Sequence, residues 1–188
     1  MKEIILIILI VLLSTSVWGQ SPEATPRLRL KDVRGRTLRL SDYKGKVVLI
    51  NFWATWCPPC RTEIPDLIKM QSEYRQQGLR IIGVTYPPGK VSDVRRFMRK
   101  AGINYKVAVG TKATKALFSH SDTLPMTVVI DRDGNVRDVV EGILYPDEFE
   151  QKVKPLLSTK QTMNFVKSNS VHLQLSLSLG FSDAGPKE

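Results

Sequence analysis

An α/β fold, in which a mixed central sheet is flanked by helices, is predicted by three features of the sequence. Two uninterrupted apolar runs, KVVLINFW (46–53) and LRIIGVTY (79–86), have the composition of strands covered on both faces. Segments with helical spacing alternate with them. A strand, MTVVID, then turns through DRDG into NVRDVVEG and closes an antiparallel hairpin.

Element by element, the chain reads as follows. RLRLKDVRGRTLRL places Leu28, Leu30, Leu38 and Leu40 in alternation with charge around an RG turn, the pattern of a β-hairpin. The run 46–53 follows and leads directly into Cys57 and Cys60. From Thr62 to Gln77, the residues Ile64, Leu67, Ile68 and Tyr74 fall near helical spacing, and Gly78 ends the segment. The run 79–86 is the second buried strand. VSDVRRFMRKAG predicts a helix that starts near Ser92 or Asp93 and stops at Gly102. NYKVAVG is a short strand and TKATKALF a short helix. PDEFEQKVKPLL (146–157) is a closing amphipathic helix. The sequence contains no internal repeat.

With 188 residues, 42% hydrophobic and 24% charged, the chain is long enough for one well-packed domain. Its two ends differ from the middle. After Lys2, IILIILIVLL is unbroken apolar sequence, and Val17 and Gly19 occupy the −3 and −1 places of a signal-peptidase site, with Gln20 following. Residues 1–19 are therefore expected to be a signal peptide. An uncleaved membrane anchor is the alternative, although the run is shorter than the roughly 20 residues a span needs. The absence of a cysteine after it excludes a lipoprotein anchor. Either reading delivers the rest of the chain to an extracytoplasmic compartment, the bacterial periplasm or the outer face of the membrane, where disulfides persist. The tail 158–188 carries no functional motif, although VHLQLSLSLGF alternates in strand period. It is expected to be dispensable or disordered, or to add an edge strand at a partner interface; deleting 160–188 should leave melting and disulfide reduction nearly unchanged.

The formal charge is +10. Arginines gather at 27, 29, 34, 36 and 39 and again at 95, 96 and 99, alternating with apolar residues as exposed faces do, so a solvated surface is the reading. Export argues against nucleic acid as a partner.

The two cysteines in NFWATWCPPCRTEIP are the only ones in the chain. A structural clip across two residues would close too small a loop to constrain the unfolded state much. Zinc wants four ligands, and the two histidines, His120 and His172, have no metal spacing. Covalent haem attachment needs a histidine after the second cysteine, where Arg61 stands. A peroxide-reducing site would also carry a threonine near its cysteine, as Thr55 stands near Cys57, but here a second cysteine makes a redox pair. Copper(I) binding by the two thiolates remains the alternative to thiol chemistry. No metal or other cofactor is expected.

The pair sits where a buried strand passes into a helix. Backbone N–H groups and the helix dipole stabilise a thiolate there. Cys57 is then the attacking thiol and Cys60, one turn in, the buried resolving thiol. Pro58 and Pro59 fix two φ angles and donate no hydrogen bonds. Trp56 is expected to cover the site, and Trp53 to belong to the core. His120 reads as a surface residue near the Pro125 loop. Glu63, three residues after Cys60, lies on the same helical face, where burial would raise its pKa and allow it to exchange a proton with Cys60.

The segment LSDYKGKVVLINFWATWCPPCRTEIPDL resembles the active-site region of the TlpA/ResA-like thiol-disulfide oxidoreductases, an exported branch of the thioredoxin superfamily, and TLPMTVVIDRDGNV resembles that family's cis-proline loop. The similarity spans about 28–157, and 86–106 resembles the insertion that sets this branch apart. It implies a thioredoxin-like fold with an N-terminal hairpin, a cis bond at Pro125, and an acid at Glu63. Substrate would contact Trp56, Pro58, Leu124 and Pro125, the Leu124 backbone pairing with a bound strand. It also implies a monomeric reductant of disulfides in exported proteins, apocytochrome c among them, recharged by a membrane thiol donor. Met126, where the family often has threonine, and SHSDT, in place of a glycine-containing turn, are departures that bear on substrate preference.

Overall fold

The computed structural model describes residues 27–85 and 90–158. The expected signal segment 1–19, Gln20, Tyr86, His172 and the tail beyond Ser158 lie outside them. Among the described residues, no helix is long and apolar enough to cross a membrane.

The strands are β1 (Arg29–Asp32), β2 (Thr37–Arg39), β3 (Val47–Trp53), β4 (Leu79–Thr85), β5 (Lys106–Val109), β6 (Met126–Ile130) and β7 (Val136–Glu141). They form one sheet in the order β2-β1-β5-β4-β3-β6-β7. β3, β4 and β5 run parallel, while β6, β7, β1 and β2 join antiparallel at the two flanks. This is a thioredoxin-like sheet with the predicted hairpin at one edge, in which Leu30 stands opposite Leu38.

All seven residues of β3 are buried, as its unbroken apolar run requires. The pleat sends Val47, Leu49 and Trp53 to one face and Val48, Ile50 and Phe52 to the other, so the sheet separates two cores. Helices α1 (Pro58–Tyr74) and α4 (Pro146–Lys152) cover the first face, with Ile64, Leu67, Tyr74 and Phe149 packed against it. Helices α2 (Val91–Ala101) and α3 (Lys112–Ala116) complete the fold.

Several boundaries differ from the sequence reading, two helix starts among them. α1 begins at Pro58, four residues earlier than the apolar spacing suggests, because proline at the first positions of a helix has the right φ and lacks an N–H that would be unpaired there. α2 is capped by Lys90 without a side-chain hydrogen bond, so Ser92 and Asp93 fall inside its first turn; Gly102, at φ 69°, terminates it as expected. The arginines of both clusters are exposed.

Gly83, in β4, is opposite Asn51 in the sheet. A Cβ at this glycine would stand 2.8 Å from the Trp53 indole nitrogen and 3.3 Å from the Tyr105 ring. The missing side chain is what lets two aromatic rings close over the strand. Gly83→Ala is therefore expected to cost about 1–3 kcal/mol of stability through overpacking, read from denaturant unfolding; a loss within a few tenths of a kcal/mol would show that the rings can yield.

Candidate active site

Cys57 is the N-cap of α1 in extended conformation, and its sulfur accepts the Cys60 backbone N–H at 3.3 Å. The sequence places it there because Pro58 and Pro59 supply the first helical turn. Cys57 and Cys60 form a disulfide with an S–S distance of 2.09 Å. Cys57 is 3% exposed and Cys60 is fully buried, so Cys57 is the nearer of the two to the surface. Trp56, 59% exposed, stands beside the pair at the surface, whereas Trp53 is core. Pro58 is exposed.

The Leu124–Pro125 peptide bond is cis. Pro125 is buried and its carbonyl accepts the Gly142 N–H at 2.9 Å. The backbone N–H and carbonyl of Leu124 make no hydrogen bond among the described residues. His120 is exposed and lines a cavity together with Trp56 and Leu124.

Glu63 is 1% exposed, one turn of α1 beyond Cys60. Its Oε1 accepts the Leu144 backbone N–H at 2.7 Å and its Oε2 accepts an Asn51 Nδ2 hydrogen at 2.9 Å. Burial pushes the Glu63 pKa from 4.5 up to about 7; the two hydrogen bonds pull against that, and the nearby charge of Asp66 adds to it. The carboxyl is thus poised to take or give a proton near neutrality. Tyr105, buried close by, has its hydroxyl pushed well above the usual tyrosine range, first by burial and then by the charge of Glu63.

Asn51 and Thr127 are directly opposite in the β3–β6 register, and Asn51 Nδ2 also donates to Thr127 Oγ1 at 2.9 Å. The Asn51 Oδ1 is buried without a hydrogen-bond partner among the described residues. This arrangement suits both charge states of Glu63. The amide nitrogen donates to the carboxylate; rotated by half a turn, the amide presents Oδ1 to a protonated Glu63 and to the Thr127 hydroxyl.

A family model described as AhpC/TSA matches residues 22–139. The chain belongs to that family. It is 31% identical over 131 residues to the thiol-disulfide oxidoreductase ResA of Geobacillus kaustophilus, covering 70% of this chain and 75% of that one. A solved thiol:disulfide interchange protein of the thioredoxin family from Chlorobium tepidum superposes with a TM-score of 0.66 at 31% identity, covering 74% of this chain and 99% of its own. The exposed lipoprotein thioredoxin Etrx1 of Streptococcus pneumoniae gives 0.60 at 28% identity, covering 70% and 100%. The present chain is a ResA/TlpA-like thiol-disulfide oxidoreductase.

In this oxidoreductase the fold brings Cys57, Cys60 and Glu63 to one end of α1, with the cis-Pro125 loop as a second element. Asn51, Thr127 and the Leu144 N–H escaped the sequence reading. One signal was available for Asn51: an amide in the middle of an otherwise apolar buried strand is a buried polar group in need of a partner. The Leu144 N–H left no trace in the sequence, since every residue but proline has one. Among the described residues, no cluster of three or more His, Cys, Asp or Glu side chains could hold a metal ion.

Proposed function

We propose that the protein is an exported reductant of protein disulfides, acting as one thioredoxin-like domain (28–157) behind a signal peptide or anchor (1–19) and ahead of an accessory tail (158–188). The observation that carries the reading is the Cys57–Cys60 disulfide at the start of α1, with Cys57 nearer the surface than the fully buried Cys60 and the buried Glu63 one turn further in. In the reduced enzyme, the Cys57 thiolate attacks a substrate disulfide. Its sulfur–sulfur bond breaks, one substrate thiolate leaves, and a mixed disulfide to Cys57 forms. Glu63 takes the proton of Cys60; the new thiolate attacks the Cys57 sulfur and expels the second substrate thiolate. Two electrons have passed to the substrate, and the enzyme is left with the disulfide seen here. Trp56, Pro58, Leu124 and Pro125 form the contact surface, where the unpaired Leu124 backbone supports strand-like pairing with the substrate. A membrane thiol donor then restores the dithiol. The substrates are exported proteins with reducible cysteine pairs, apocytochromes c among them. The apolar segment 4–13 supports export, as does the similarity to Etrx1, an exposed lipoprotein.

Insulin reduction measured beside a copper(I) titration tests this reading: turnover without tight copper binding is expected, and the reverse would make the pair a metal carrier. The direction of electron flow is expected from equilibration with glutathione, with a potential toward the reducing end, about −270 mV, of the range of dithiol couples. A value near about −120 mV would make the protein an oxidant.

A further inference from the structure

A cavity of about 580 Å³ opens among Trp56, α3 and the segment that leads to Leu124. Two lysines, Lys112 and Lys115, line it against one carboxylate, Asp122. Lys112 and Asp122 are 3.7 Å apart and both stand almost wholly in water, so they neutralise each other and contribute little else.

Lys115 is different. It is only 5% exposed. Its Nζ donates to the Ser121 carbonyl, and it makes no ion pair among the described residues. An ammonium carries three N–H donors, and one neutral acceptor does not offset the cost of holding a buried charge. Fastening the α3–β6 connection through Ser121 needs a donor but not a charge. The charge of Lys115 is left over from that task, and it borders a cavity that Trp56, the residue before Cys57, also lines.

We propose that this cavity is an anion subsite, in which Lys115 receives the carboxylate of an acidic residue flanking the disulfide of the substrate. The assignment rests on Cys57 as the sulfur that attacks. Trp56 precedes Cys57 and Leu124 precedes Pro125, so a peptide bonded through its sulfur to Cys57 has its neighbouring residues at the mouth of the cavity. The net charge of +10 acts in the same sense at longer range and draws acidic segments to the surface. The substrate class selected is therefore an acidic segment bearing a disulfide, in preference to a basic one.

The test uses the reduced protein and two disulfide-bridged peptides of equal length that differ only in carrying Asp or Lys beside the cysteines. The parent is expected to show a higher kcat/KM for the Asp peptide, mainly through KM, and this preference should shrink as salt is raised. Lys115→Gln keeps an N–H for the Ser121 carbonyl and loses the charge; it should reduce the Asp-to-Lys ratio about tenfold. Lys69→Gln removes the same charge from the exposed face of α1 and should leave the ratio as it was. Equal kcat/KM values in the parent, or a ratio untouched by Lys115→Gln, would overturn the subsite while leaving the reductase reading in place. No turnover of either peptide by the parent would overturn both.

Discussion

Cys60→Ser is expected to abolish repeated turnover, by about a thousandfold or more, and to leave the substrate covalently attached to the protein. The buried side of the active site explains why. Cys57 holds the helix N-cap and lies nearer the surface than the fully buried Cys60, and on the proposed assignment the first exchange needs nothing from Cys60. The second exchange has no other internal nucleophile: the chain contains no further cysteine, and a serine hydroxyl at that place is not ionised. Mass spectrometry after reaction with a single disulfide substrate should find one substrate thiol bound through Cys57. The reciprocal variant, Cys57→Ser, should trap nothing, because Cys60 is sealed beneath it. Substrate captured on Cys60, or turnover that survives Cys60→Ser without added thiol, would overturn the assignment of attacking and resolving sulfurs.

The second large effect is expected at Glu63. Its pKa is raised from 4.5 to about 7 by burial, so the folded protein favours the protonated acid. Glu63 therefore adds stability that is fully present below 4.5 and lost as pH rises through about 7. The difference of 7 − 4.5 = 2.5 pH units, at about 1.4 kcal/mol each, amounts to about 3 kcal/mol. Glu63→Gln should flatten this part of the stability profile. The substitution fits: the amide oxygen can accept the Leu144 N–H, and the amide nitrogen can donate to the Asn51 Oδ1, which is unpaired in the parent.

The kinetic effect of the same change separates the two steps. Alkylation of Cys57 should be unaffected, whereas release of the mixed disulfide should slow by about a hundredfold near neutral pH. The parent rate should rise through about pH 7 as Glu63 becomes a base. In the variant the rise should shift toward the ordinary thiol range, about 8.5. Matching pH–rate profiles for parent and variant would reduce Glu63 to a buried structural acid.

The resolving end of this site could be read in part before the fold was known. Glu63 follows Cys60 by three residues, and helical geometry alone puts the two on one face. Whether that face was wet or dry depends on what packs across it. β3 and β6 supply Asn51 and Thr127, and the loop after β7 supplies the Leu144 N–H, from positions 12, 76 and 81 residues distant in the relevant pairs. Such distant partners leave no periodic signal. Similarly, nothing in the short polar stretch TKATKALF marks Lys115 as buried; its Nζ donates to the Ser121 carbonyl of the α3–β6 connection, a contact that only the folded chain makes.

The sequence alone determined the strand and helix succession, the hairpin at each flank and the CxxC pair at a strand-to-helix junction, because these depend on local periodicity, on proline and glycine stereochemistry, and on residues close in the chain. The motif segments at 40–67 and 123–136 determined the family in the same way. Only the tertiary structure decided how far the Glu63 carboxyl is withdrawn from water, which amide and hydroxyl support it, and that Lys115 is buried at a cavity it shares with Trp56 and Leu124. These properties are set by desolvation and by hydrogen bonds between segments far apart in sequence. They come into being when the sheet closes under α1 and take no form in any single stretch of residues.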